Sequence, residues 1–480
     1  MNRRKVYGWE LSLFHRIGKK IAYNHQPDPL INSFFKSDIS ILDLESKKTE
    51  LLVSHKSADA LQAWSPDSKE ILYTTSLDDT LSNYYKNAKV MIMNISDKKS
   101  RQIAAKLDED LGAGFSWRPT GIFVSAWNKT RRPLYHINPT NGDYKELAGL
   151  PEMVFNVDVS LSGKQLIFSG RNGNQLTELY RTTFPVTQVT KITDMTSQID
   201  NWKTAQSEVI SWKSRDGAVI EGVLHKPQDY DPKKKYPLLV MIHGGPTGID
   251  SPTPLPGGVY PVLQWLDKGC LVLRPNYRGS AGYGEAFRSL NVQNLGVGDA
   301  WDVLSGVEYL DSKGMIDKSK MGCMGWSQGG YISAFLTTTS DVFKAISVGA
   351  GISDWMTYYV NTDIHPFTRQ YLKATPWSDE EIYKKTSPMT YINQAKTPTL
   401  IQHGEFDQRV PIPNAYQLLQ GLRDKGVPAE LVVYKGFGHG INKPKERLAA
   451  NWHNLKWFNK YIWNEEIELP ITESKTETKK

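Results

Sequence analysis

Cysteine is almost missing from this chain: 480 residues carry two, Cys270 and Cys323, each inside an apolar strand-like run. A disulfide framework is thereby excluded, and both read as buried free thiols compatible with a reducing compartment. No apolar run approaches the roughly 18 residues of a membrane span, so none is expected. Met1-Asn-Arg-Arg-Lys has the charge of a signal-peptide start, but Glu10, His15 and Arg16 follow where an apolar core belongs. As given, the sequence reads as cytoplasmic; a missing N-terminal segment would allow a periplasmic or secreted protein. An excess of one charge is also lacking. The net charge of +7 is scattered, apart from Lys233-Lys234-Lys235 and a Lys-rich C-terminus, which describes a solvated surface and not a nucleic-acid face. Metal patterns such as H-E-x-x-H or C-x-x-C do not occur. Gly279-Ser-Ala-Gly-Tyr-Gly284 has the wrong spacing for G-x-G-x-x-G, and no Gly-Lys-Ser/Thr follows it. Neither a metal nor a nucleotide cofactor is expected.

What is present is ordinary globular composition, 39% hydrophobic and 23% charged, with length for two or three domains. Residues 1–200 contain a repeat. Four segments share an aromatic or apolar residue, a small turn and a short apolar strand: Phe14 to Tyr23, Trp64 to Tyr73, Trp117 to Val124, and Val159 to Phe168. Their starts recur at roughly the 40 to 50 residues of a propeller blade. After each comes a hairpin-like pair of strands, with turns at Glu45-Ser-Lys-Lys, Ser96-Asp-Lys-Lys, Asn138-Pro-Thr-Asn-Gly and Phe184-Pro-Val-Thr. The alternation Ile39/Ile41 and Val90/Ile92/Asn94 predicts strands with one face buried between neighbouring blades. Because both halves of the unit recur in order, a propeller is favoured over a sandwich of hairpins. Only four blades are visible, and the first begins almost at Met1 with no cap, which points to an incomplete propeller.

From Ser207 the pattern changes. Glu208-Val-Ile-Ser-Trp and Ala218-Val-Ile-Glu-Gly-Val-Leu flank Asp216-Gly217, a hairpin signal. Apolar strand candidates follow at 238–242, 270–273, 321–324, 345–348, 399–403 and 431–434. Helical patterns lie between them, for example at 298–311, 331–338, 415–425 and 446–462. Such alternation predicts a parallel sheet covered on both faces, with sites at the strands' C-terminal ends. The fold expected is therefore multidomain: about four β-propeller blades over 1–200, an α/β-hydrolase domain over 201–466, and a polar, disordered tail over 467–480.

Gly325-Trp-Ser-Gln-Gly329 fits the nucleophile elbow G-x-S-x-G, a pattern chance supplies about 0.16 times in a chain of this length. A predicted strand before it and a helix from near Gly329 give it the required context. The turn presents the Ser327 hydroxyl above the sheet, and the helix N-terminus favours developing negative charge. In this fold the acid and then the base follow the nucleophile along the chain. Asp407, after the strand 399–403, is the acid expected to hold and stabilise the imidazolium; Glu405 is the alternative. Beyond it only His439 and His453 remain. His439 lies between glycines just past a strand and is the expected base, whereas His453 sits mid-helix and reads as a surface residue. The oxyanion hole needs two preorganised N–H groups: that of Gln328, and one from the loop His243-Gly-Gly-Pro246, Gly245 first and Gly244 as alternate. Gln328 acts through its backbone, so its side chain is expected to tolerate change. Trp355, Tyr358 and Tyr359, just after a predicted strand, either line an apolar pocket for the residue before the cut or pack as core.

These residues resemble the prolyl oligopeptidase family of serine peptidases. The strings that carry the likeness are Asp216-Gly-Ala-Val-Ile-Glu-Gly, His243-Gly-Gly-Pro, Asn276-Tyr-Arg-Gly-Ser-Ala-Gly-Tyr-Gly, Gly325-Trp-Ser-Gln-Gly-Gly-Tyr, His403-Gly-Glu-Phe-Asp-Gln-Arg-Val-Pro and Gly438-His-Gly. The resemblance implies Ser327 as nucleophile, His439 as base and Asp407 as acid, and a peptide as substrate. It also implies that Arg409 holds a substrate carbonyl, against pairing with Glu405 or another loop carboxylate. His243 stands where prolyl oligopeptidases and dipeptidyl peptidases carry a tyrosine, which looks like the acylaminoacyl-peptidase branch with its backbone donor. The rival functions are a carboxylesterase using the same triad and a propeller interaction module with an inert hydrolase domain. A homo-oligomer is compatible with the sequence.

Overall fold

The computed structural model describes residues 12–14, 18–76, 84–112 and 114–468. The polar tail beyond Glu468 and the first eleven residues lie outside them. Four antiparallel sheets follow one another along the N-terminal part, and each orders its four main strands as the chain does. The first blade holds Ser12–Phe14, Lys20–His25, Asp38–Asp43 and Thr49–Val53. The second holds Asp59–Trp64, Glu70–Thr75, Lys89–Asn94 and Ser100–Ile103. The third holds Ser116–Arg118, Gly121–Trp127, Leu134–Ile137 and Tyr144–Glu146, with Asp110–Leu111 added beside the end of its second strand. Met153–Val159, Gln165–Arg171, Glu178–Thr183 and Val189–Lys191 form the fourth. The first strands of the second, third and fourth blades pack beside one another, so they face the propeller axis.

The repeated turn has a backbone reason. Four residues after the anchoring residue the chain turns left-handed, at Gly18 (φ 65°), Ser68 (φ 60°) and Gly163 (φ 73°). Glycine meets this cheaply; Ser68 adopts it inside a turn where the Ser65 hydroxyl accepts from the Lys69 and Glu70 N–H groups. Burial corrects the expectation of a single buried strand face. In Glu70–Thr75, Ile71 and Tyr73 pack with Ile39 and Ile41 of the first blade, while Leu72 packs with Trp117 and Ile122 of the third. Likewise Ile122 and Val124 face the second blade and Phe123 the fourth. Side chains alternate across a strand, so a blade with two neighbours needs apolar residues on both faces.

The remaining residues build one eight-stranded sheet. Its strands are β1 (Gln206–Lys213), β2 (Val219–Lys226), β3 (Tyr236–Ile242), β4 (Leu271–Asn276), β5 (Ile316–Trp326), β6 (Ala345–Gly349), β7 (Thr399–Gly404) and β8 (Ala429–Tyr434). They lie in the order β1-β2-β4-β3-β5-β6-β7-β8. Strands β3 to β8 are parallel, whereas β2 runs antiparallel to β4 and to β1. Both faces are dry: Leu238, Val240 and Ile242 enter one core and Leu239 and Met241 the other. The helices α1 (Gly298–Ser312) and α2 (Gln328–Thr339) cover the first face, and α3 (Pro444–Phe458) covers the second with Trp457 and Phe458. Strand β5 starts five residues before the expected Met321, because Tyr236 pairs with Ile316 and the polar Asp317 to Lys320 carry no apolar signal. The thiols of Cys270 and Cys323 are free and buried, as expected. No helix among the described residues is long and apolar enough to cross a membrane.

The blades rest on the sheet's C-terminal edge. Lys129 N–H donates to Gly282 O (2.6 Å), Arg171 binds Pro252 O and the Ser251 hydroxyl, and Asn32 donates to Asp363 O. Arg288 reaches back to Asn87, Asp110 and the Tyr84 carbonyl.

Candidate active site

Strand β5 ends at Trp326, and Ser327 then takes φ 61° and ψ −119°, a conformation that L-residues avoid. Two bonds hold it there: Ser327 N–H donates to Gly349 O on β6 (2.9 Å), and Tyr331 N–H donates to Ser327 O (2.8 Å). The flanking glycines are steric requirements. A Cβ on Gly325 would strike the Gly329 backbone, and one on Gly329 would strike Ile242 O of β3. The elbow is thus wedged between three strands and its own helix.

His439 follows β8, and Asp407 follows β7. The structure brings both to Ser327. His439 Nδ1–H donates to Asp407 Oδ2 (2.8 Å), and its Nε2 lies 2.9 Å from Ser327 Oγ, placed to accept the hydroxyl proton. Asp407 is buried, and its Oδ1 accepts from the N–H groups of Arg409 and Val410, both at 2.9 Å. That fixes the carboxylate and leaves Oδ2 to choose the imidazole tautomer. Below it His403, kept neutral by burial, donates from Nε2 to Val410 O. Glu405, the alternative acid, instead accepts from Gly436 N–H (2.9 Å), and so braces the loop that carries His439. His453 is half-buried on α3, and burial holds its pKa down.

Two ties that no motif announced align the loops. Trp326 Nε1–H donates to His439 O (2.8 Å), and Phe406 N–H donates to Phe437 O (2.8 Å). The loops pass so closely that a Cβ on Gly404 would overlap Gly438 O.

The His243 loop crosses above Ser327: a Cβ on Gly244 would stand 3.2 Å from Ser327 Cβ. His243 is anchored by Gly244 O, the Ser280 hydroxyl and the face of Tyr277, 4.4 Å away. Gly245 and Gln328 both border the cavity at Ser327. The Gly245 N–H has no partner among the described residues, and Gln328 opens α2, where N–H groups are unpaired within the helix. One expectation is corrected here. The Gln328 side chain is only 2% exposed and its Nε2 lacks a partner, so it is packed at the site and not free to vary.

The cavity has a volume of about 330 Å³. Ile352, Tyr358, Phe367 and Tyr371 give it apolar walls, and Arg409 lies at its edge. Of the three aromatics expected there, only Tyr358 lines it. Trp355 is fully buried, donates from Nε1 to Thr386 O and packs edge-on to Tyr331. Tyr359 turns toward His365 and Tyr383. Arg409 pairs with Asp363 (2.9 Å) and not with Glu405. One wall was invisible in the sequence. Tyr84, from the second blade, lines the cavity, bonds through its N–H to Gln370 Oε1 and packs against Phe367. Burial pushes its phenol up to about 12.

The strings Asp216-Gly and Asn276-Tyr-Arg-Gly support this loop from below. Arg278 donates to both Asp302 oxygens, both Asp216 oxygens and the Ser214 hydroxyl, fixing the turn that carries Ser280. No group of three or more potential metal ligands occurs among the described residues.

Residues 259–465 match the prolyl oligopeptidase family. The chain is 31% identical over 253 residues to the uncharacterized peptidase YuxL of Bacillus subtilis, which covers 52% of this chain and 38% of that protein. It is 30% identical over 236 residues to the acylamino-acid-releasing enzyme of Arabidopsis thaliana, covering 47% of this chain and 30% of the other. The match thus spans only 38% and 30% of these two relatives' own lengths. Among solved structures, the acylaminoacyl peptidase of Pyrococcus horikoshii superposes with a TM-score of 0.80 at 24% identity, covering 97% of this chain and 72% of that one. That likeness establishes a shared fold.

Proposed function

We propose, from the match of residues 259–465 to the prolyl oligopeptidase family, that the protein is a serine peptidase that cleaves short or acylated peptides through an acyl-enzyme. The observation that carries this is the continuous relay Asp407–His439–Ser327 at 2.8 and 2.9 Å, opening on a cavity bordered by Gly245 and Gln328. Ser327 Oγ attacks the scissile carbonyl while its proton passes to His439 Nε2, and the Asp407 carboxylate stabilises the imidazolium. The Gly245 and Gln328 N–H groups receive the negative charge that develops on the carbonyl oxygen. His439 then protonates the leaving amine as the C–N bond breaks, and a water molecule repeats the sequence to free the acid.

The walls suit an apolar side chain before the cut, since a charged one would be desolvated among Ile352, Phe367 and Tyr371. Arg409, held by Asp363, is placed to donate to a substrate carbonyl.

A fluorophosphonate probe should label the protein, and Ser327→Ala should abolish labelling and lower peptide turnover by about 10⁶-fold. Near-full peptidase activity in Ser327→Ala would sink the proposal. Turnover of nitrophenyl esters without turnover of acyl-amino-acid amides would make it an esterase, and an unlabelled wild-type protein would make it an inert module.

A further inference from the structure

Several buried or half-buried arginines of this molecule are answered by a carboxylate. Arg278 has Asp302 and Asp216, Arg288 has Asp110, Arg274 has Asp250 and Arg409 has Asp363. Arg132 is different. Its Nε donates to the Ser125 hydroxyl (3.2 Å), and its Nη1 and Nη2 groups meet no acceptor among the described residues. The carboxylate that supports its charge, Asp110, is already bonded to Arg288 at 3.1 Å. Burial meanwhile works against the charge.

The guanidinium is nevertheless held in place. Its carbon lies 5.1 Å from the centroid of Phe155 and 5.7 Å from that of Trp127. Gly112 passes so close that a Cβ there would strike Arg132 Nη2. The Arg132 backbone is clamped between blades, with its N–H on Glu152 O and its carbonyl accepting from Val154 N–H. Thus one face is fixed and the fork is left open.

It opens into a cavity of about 520 Å³, which the hydroxyls of Ser125, Ser169 and Thr177 and the amide of Asn156 also line. Asn156 sits at φ 47° where Met153–Val159 breaks register between Phe155 and Asp158. Such a bulge re-aims a side chain. This strand faces the propeller axis. The cavity lies toward the sheet: Lys129, three residues before Arg132, bonds to Gly282, and Ser280 nearby holds His243 of the loop above Ser327.

We propose that this cavity is a second binding subsite, separate from the one at Ser327, which takes the free C-terminal carboxylate of a peptide. An unpaired arginine fork presents two parallel N–H donors that match a carboxylate. The Thr177 hydroxyl and the Asn156 amide, which line the same cavity, provide for the adjoining peptide group, and the rings of Phe155 and Trp127 flank the guanidinium. The subsite rests on the peptidase reading only in that the ligand is a peptide.

The test is binding, not turnover, so it stands apart from the chemistry at Ser327. Full-length Ser327→Ala protein is titrated by calorimetry with a hexapeptide ending in a free carboxylate and with its C-terminal amide. The acid should bind about 10-fold tighter, the effect of one charge-assisted bidentate contact. Adding Arg132→Met should remove the difference, and Arg132→Lys should retain only part of it, with circular dichroism checking that each is folded. Equal binding of acid and amide to Ser327→Ala protein would overturn the proposal, as would an undiminished preference in a folded Arg132→Met protein. An amidated peptide bearing an internal aspartate that binds as tightly as the free acid would overturn the assignment to the C-terminus.

Discussion

The blades and the α/β domain each bury a carboxylate, and they use it in opposite ways. In the fourth blade Glu178 is 1% exposed and accepts four hydrogen bonds, from Thr193 Oγ1, Met195 N–H, Thr196 N–H and Thr196 Oγ1. Burial pushes its carboxyl up, but those four bonds outweigh burial and bring it down to about 2. Every partner comes from one short stretch of the same blade. In the α/β domain Asp407 also accepts two backbone N–H groups, yet gives its other oxygen to an imidazole that arrives on a different loop. A carboxylate whose partners are all local closes a structure. One with a bond left for a remote, titratable group can do chemistry.

Breaking the second arrangement should have the larger effect. Asp407→Asn keeps an acceptor for the backbone N–H groups but destabilises the imidazolium and lets the other tautomer form, and kcat should fall by about 10⁴-fold. Steady-state turnover of an acyl-peptide amide would show it, and a loss under tenfold would remove Asp407 from its role. Glu178→Gln replaces two of four acceptor positions with donors. It should cost about 2 kcal/mol of stability in urea unfolding at pH 7, while fluorophosphonate labelling of Ser327 persists. Because the folded carboxyl titrates lower than the unfolded one, this stabilisation is complete above the unfolded value. It fades as pH falls toward about 2, so wild type and variant should converge in acid.

The smallest effect concerns a carboxylate that fits neither arrangement. Asp299 on α1 is fully buried, its Oδ2 has no partner, and burial pushes it up to about 7. Here the folded value lies above the unfolded one, so ionisation weakens the fold as pH rises from about 4 to about 7. Asp299→Asn cannot ionise. It should gain about 1 kcal/mol at pH 8, net of burying an amide, and the gain should shrink toward pH 4. Thermal unfolding at the two pH values decides it; equal gains at both would exclude ionisation as the cause.

The contrast also explains what sequence could and could not reveal. Ser327, Asp407 and His439 were legible because each sits in a turn whose glycines and strand ends are local, in an order set by the fold. The four blades were legible because a left-handed turn at Gly18, Ser68 and Gly163 repeats with its flanking strands. Tyr84 was not legible: nothing around it forms a motif, and only docking of the second blade brings it to Ser327. Asp363 lies in a stretch of short helices without a clear period. Trp355 stayed open because an aromatic after a strand reads alike whether it faces a cavity or the core. Its Nε1–H bond to Thr386 O settles the matter, and that bond spans 31 residues. The second buried face of each blade was hidden likewise, since a run such as Ile71-Leu72-Tyr73 does not say that it has two neighbours.

The bond from Trp326 to His439 O has a mechanical meaning. His439 hangs from β8, the edge strand, three strands away from the β5 that carries Ser327. Were its position set only through the sheet, small errors in β6, β7 and β8 would accumulate, and fluctuation at the sheet's rim would appear in full at the reacting atoms. Instead His439 is gauged from the residue adjoining Ser327, a single link bridging the longer path. The bond ties the His439 backbone directly to the residue beside Ser327. The gap between them is an internal dimension of one small jig, buffered from the rest of the frame.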